Sequence, residues 1–186
     1  MPRHPRHLLH VLQRLHVTTN REDTVKIVTG ADLPDLSFAH PETFDLAKVE
    51  PIRNDLFVKP LGGVWLSPPG AWVQWCRGED WDEPDAKVDQ PFDRALLADH
   101  KFVVIDTLQD LKDLMVFYEY EWPTERKAQF GLLSEMRFLD FEALACDFDG
   151  IYLTDAGQWA TRLSDPKLYG WDLESVLWFG TSEGRF

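Results

Sequence analysis

The stretch from Leu168 to Phe179, LYGWDLESVLWF, constrains the chain most. Val176 to Phe179 is a continuous apolar run of β-branched and aromatic residues, the pattern of a strand buried on both faces. Its entry is crowded with acids and large rings. Gly170 permits a tight turn, and Trp171, Asp172 and Glu174 follow at once. Side chains alternate along an extended chain, so Asp172, Glu174, Val176 and Trp178 are expected on one face. Glu174 then stands at the mouth of a core strand. A carboxylate there costs several kcal/mol unless it is paired or opens into a cleft. Two readings follow: a glutamate paired with an arginine at a sheet end, or an acid set in a functional cleft.

The 186 residues suit one domain, 1–186, with residues 1–7 as a disordered tail. No apolar run approaches the ~20 residues of a membrane span. The N-terminus lacks the apolar core and small-residue cleavage site of a secretory signal. Cys76 and Cys146 are far apart in sequence and lack metal-ligand spacing. Both read as free thiols of a reducing compartment, which points to the cytoplasm. His4, His7 and His10 fall on one side of a helix, but no carboxylate or cysteine completes a ligand set, so no metal is expected.

The net charge of −13 is unevenly placed. Residues 1–30 carry five basic side chains against two acidic ones, a balance of +3, so the rest of the chain carries −16. A body of that sign repels a phosphate backbone and argues against non-specific nucleic-acid binding. It suits equally an acidic enzyme or a non-enzymatic binding protein, such as a phage-type inhibitor that mimics nucleic acid.

Along the chain, Leu8 to Leu15 suits a short helix and His16 to Thr19 an extended segment. A strand is expected at Thr24–Val28 and a brief helix at Thr43–Val49. Val64-Trp65-Leu66 reads as a short strand ending at Ser67, before Pro68-Pro69. Proline suits the first turn of a helix, so Ser67 is a plausible N-cap for a helix through Arg77. The same junction, with indoles at 65, 72 and 75, also suits a ligand pocket of hydroxyl, helix N–H groups and flat rings. Glu79 to Asp99 reads as an acidic surface excursion. Lys101–Asp106 is a strand. Thr107 and Asp110 have capping-box spacing for a helix to Tyr120. Thr124–Phe138 suits a loop or a short helix, and Asp140 caps a helix through Phe148. Ile151–Thr154 is a strand, and Asp155–Lys167 reads as a loop carrying Arg162. Short strands interleaved with helices predict a compact α+β domain: mixed and antiparallel strands in a split sheet, with flanking helices.

The Ser67 strand end, the turn Phe148-Asp149-Gly150-Ile151 and the strand Leu173-Glu174-Ser175-Val176-Leu177 together resemble the mono-ADP-ribosyltransferase family. Leu15-His16-Val17-Thr18 is similar to its His-x-Thr opening, a place His10 or Arg14 would also fill. The likeness covers about two-thirds of the chain as an order of elements. It departs where Asp172 replaces the acid or amide that arginine-directed members carry two residues before the catalytic glutamate. It also departs at the middle element, which is not Ser-Thr-Ser. The resemblance implies an ADP-ribosyltransferase-like fold and NAD as substrate, with no metal, ADP-ribose passing to an unknown acceptor or to water; a protein acceptor suits the acidic chain better than non-specific nucleic acid. It implies Glu174 as the carboxylate that stabilises the oxocarbenium-like ribose when nicotinamide leaves. Ser67 would position it, and His16, Trp65, Trp72, Asp149 and Tyr152 would bind the cofactor.

Overall fold

In the computed structural model, residues 24–55, 59–82, 88–131 and 136–180 are described. His16, Leu8–Thr19 and the three N-terminal histidines lie outside them.

The run Lys101–Ile105 forms strand β5, and its last four residues are buried. Residues apolar on both sides of a strand need cover on both faces, and the sheet receives it. The other strands are β1 (Ile27–Thr29), β2 (Ser37–Phe38), β3 (Val64–Leu66), β4 (Gln90–Pro91), β6 (Gly150–Leu153) and β7 (Ser175–Trp178). Five of them make one mixed sheet in the order β1-β5-β6-β7-β3, and β2 and β4 pair separately. β5 and β6 are parallel; β1–β5, β6–β7 and β7–β3 are antiparallel. The fold is therefore α+β.

Register sorts the side chains. Val103, Ile151, Leu177 and Trp65 point to one face, under helices α2 (Leu108–Tyr118) and α4 (Phe141–Asp147). Phe102, Val176, Trp178 and Leu66 point to the other, where Leu33, Leu36, Phe92 and Leu97 cover them from loops and short 3₁₀ turns. At Gly150 the strands run so close that a Cβ would meet the Leu177 carbonyl oxygen at 2.4 Å.

The α2 cap forms as its spacing predicts. Thr107 Oγ1 accepts from the Asp110 N–H, and Asp110 Oδ2 accepts from the Thr107 N–H. Thr124–Phe130 is a short helix, α3. Three expectations are corrected. Asp155–Lys167 is not all loop: Thr154 caps helix α5 (Asp155–Thr161), its Oγ1 accepting from the Gly157 N–H at 3.0 Å. The Glu79–Asp99 region is more than a surface excursion, because it forms strand β4 and its Phe92 and Leu97 belong to the second core. Helix α1 (Ala71–Gly78) is not capped by Ser67, since the chain first turns through Gly70 at φ 78°. Asp89 accepts the Gly70 N–H there at 2.6 Å.

No helix of the described residues is long and apolar enough to cross a membrane.

Candidate functional site

The pairing directions bring the C-terminal ends of β3, β5 and β6 and the N-terminal end of β7 to one edge of the sheet. Open sheets hold ligands in crevices beyond strand ends of this kind. A cavity of about 250 Å³ opens at this edge, with Lys59, Trp65, Ser67, Trp72, Trp171, Asp172 and Ser175 in its lining.

Its walls are indoles. Trp65 and Trp171 meet edge to face with ring centres 4.6 Å apart. Trp171 is fully buried and stacks in turn on Phe141, so the wall is anchored in the first core. Trp72, from the first turn of α1, supplies a third ring and stacks on Trp75 at 5.1 Å. The buried Trp72 Nε1 has no hydrogen-bond acceptor among the described residues. A buried donor left unmade costs about 1–3 kcal/mol.

The polar part centres on Asp172, whose side chain is 18% exposed. Its Oδ1 lies 3.4 Å from Arg162 Nη2, just past the end of α5, and its Oδ2 lies 3.8 Å from Lys59 Nζ. The Lys59 ammonium also stands over the Trp65 ring, 5.2 Å from its centre. Desolvation by these surroundings holds the Lys59 amine below the ordinary lysine range, and Asp172 opposes the shift. The two cations outnumber the one carboxylate, so the rim suits an anionic group.

Of the residues singled out in the sequence, Trp65, Trp72 and Ser67 come together here. Ser67 is buried, and its backbone bridges Ser37: the Ser37 N–H donates to its carbonyl at 2.8 Å, and its own N–H donates to the Ser37 carbonyl at 3.2 Å.

Glu174 and Tyr152 are brought together elsewhere. The Tyr152 Oη–H donates to Glu174 Oε1 at 2.5 Å, on the face that Tyr152 shares with its pair-mate Val176. That is the opposite face from Trp65, and the cavity lining contains Leu173 and Ser175 but not Glu174. The expected shared face for Asp172 and Glu174 is therefore corrected. β7 begins only at Ser175, and bends at Leu173 and Glu174 turn the two acids to different sides. Burial first, and then the bond to Glu174, push the Tyr152 phenol well above its ordinary value.

Asp149 sits at the far edge of the sheet, about four residues or ~13 Å along β6 from the cavity end. There it ties strands together: its carboxylate accepts from the Lys101 N–H at 2.7 Å, and its carbonyl accepts from the Phe179 N–H at 2.8 Å. The structure does not bring it to the cavity. Among the described residues, no three His, Cys, Asp or Glu side chains converge as a metal-ligand set.

Sequence reasoning missed Lys59, Arg162, Trp171, Asp172 and Ser175 as members of one site. The crowding of Trp171 and Asp172 before β7 was the one local signal. No family model, curated protein or solved structure matches this chain.

Proposed function

We propose that this chain binds a small molecule bearing a flat ring and an anionic group, with the ring in the sheet-edge cavity, and that NAD is the ligand of this class to test first. The observation that carries this reading is the combination of three indoles with Lys59 and Asp172 in the lining of one cavity, Asp172 being held in turn by Arg162. At about 250 Å³ the space lies just below the usual range of ligand pockets, about 300–1,000 Å³. It suits one substituted ring, so a dinucleotide would place its nicotinamide inside and its phosphates at the rim. Thermal melting with NAD, nicotinamide and ADP-ribose tests this. Saturation at a hundredfold excess over Kd stabilises by about 2.7 kcal/mol. That corresponds to a rise of about 5–11 °C for a chain of this size. Trp72→Ala is expected to abolish the rise. No shift with millimolar NAD or nicotinamide rejects the reading.

A second reading is ADP-ribosyl transfer, with NAD losing nicotinamide and an acceptor or water taking the ribose. It rests on Glu174, which lies in the chain between two residues of the cavity lining, while its side chain is held by the Tyr152 hydroxyl on the opposite face. To reach a ribose, the side chain must leave Tyr152 and turn toward the cavity. Nicotinamide release from labelled NAD, lost in a folded Glu174→Gln protein, is the expected result. Equal release by wild type and variant removes Glu174 from the chemistry.

A further inference from the structure

Lys59 and Arg162 share Asp172 but differ in chemistry. Arg162 is the nearer cation and stays charged at any working pH, so it compensates Asp172 whatever Lys59 does. Lys59 lies against an indole face, and its side chain is 43% exposed, open enough to meet a reagent. A lysine desolvated against an apolar wall is an arrangement that turns an ammonium into a nucleophile.

The geometry points to Lys59 as a covalent site, whose amine condenses with the carbonyl of a small aldehyde or ketone carried on an anionic ring. The Nζ lone pair attacks the carbonyl carbon after its proton passes to Asp172. The carbonyl π electrons move to oxygen, and the oxygen takes up the proton that the attacking nitrogen sheds, giving a neutral carbinolamine. The C–O bond then breaks with a proton returned from Asp172, water leaves, and a protonated imine remains. One ammonium and one carbonyl thus give one iminium and one water, with no oxidant or reductant required. Asp172 lies close enough to carry the proton both ways, and Arg162 keeps it from being an isolated buried charge. The indoles provide a surface for the ring.

The test uses pyridoxal phosphate, an aromatic aldehyde bearing a phosphate, with the full chain near pH 7.5. Borohydride reduction fixes any imine as a secondary amine, and peptide mass spectrometry locates it. Lys48 is the internal comparator: it is exposed, and Glu42 at 2.7 Å holds it in the charged form. Each unit by which an amine's pKa falls makes its neutral form about tenfold more abundant at fixed pH. Labelling at Lys59 is therefore expected to be faster than at Lys48. Trp72→Ala is expected to slow labelling at Lys59 while leaving Lys48 unchanged, which covers the case in which replacing Lys59 itself harms the fold. Labels spread over the lysines by exposure alone, with Lys59 no faster than Lys48, overturn the proposal. So does a Lys59 label indifferent to Trp72→Ala. The proposal is independent of NAD. A trapped adduct without an NAD-induced melting shift leaves it standing and rejects the nucleotide reading, and the converse rejects the imine alone.

Discussion

Tyr152→Phe removes one hydroxyl and leaves a ring of the same shape, so its effect isolates the bond to Glu174. At 2.5 Å this is a short, charge-assisted bond. Hydrogen bonds to charged groups contribute about 1.5–3 kcal/mol net. Both side chains are only partly buried, so water can replace part of what is lost, and a loss of about 1–2 kcal/mol is expected. For a chain of this size, that lowers Tm by about 2–8 °C. The pH dependence supplies an independent check. The phenol is raised in the folded state, by burial and then by Glu174, so between pH 10 and the folded value the native protein holds a proton that the unfolded chain has released. Stability from this group is full below about pH 10 and declines as pH rises above it. Phenylalanine has no such proton. The gap between wild type and variant, measured by circular-dichroism melts at pH 7, 9 and 10.5, should therefore be constant at the first two and narrow at the third. Equal melting points at pH 7, or a gap that stays constant to pH 10.5, would falsify the account of Glu174 as an acid held by this phenol.

Three further perturbations address the frame around the site. Asn54 ties its loop to the start of α4, its Nδ2 donating to Asp140 Oδ1 and its Oδ1 accepting from the Phe141 N–H, each at 2.8 Å. Asn54→Ala should cost about 1–2 kcal/mol in urea titration, and an unchanged midpoint would remove Asn54 from the cap. Gly150→Ala places a methyl 2.4 Å from the Leu177 carbonyl oxygen and 2.5 Å from the Phe102 ring, so about 3 kcal/mol or more of lost stability is expected, with near-wild-type melting as the contrary result. The lowered Lys59 amine releases its proton in the native state before the unfolded chain does, so native stability gains as pH climbs toward 10.5. Lys59→Met lacks that gain, and its stability relative to wild type should fall over the same interval; parallel pH profiles would contradict the shift.

What the sequence reveals here follows from the range over which each signal acts. β5 and α2 were legible because their causes are local: an unbroken apolar run, and a threonine three residues before an aspartate that closes both capping bonds. Helix α5 carries a glycine, Gly157, in its interior, where helix propensity is poor. The glycine is there because a Cβ would lie 2.0 Å from the Ile105 carbonyl oxygen, a contact between residues 52 positions apart. The Ser67 cap failed for a similar reason, since Asp89, 19 residues beyond Gly70, takes up the backbone N–H at that turn. The cavity is the extreme case. Lys59, Trp65, Trp72 and Asp172 meet because β7 runs against β3, which sets the end of β3 beside the entry to β7. Were those two strands parallel, Ser67 and Ser175 would lie at opposite edges. Alternation along a single strand says which side chains share a face, but it carries no record of which way the neighbouring strand runs. Glu174 therefore drew attention by its place in a pattern, whereas the side chains that build the cavity are set by the pairing of strands.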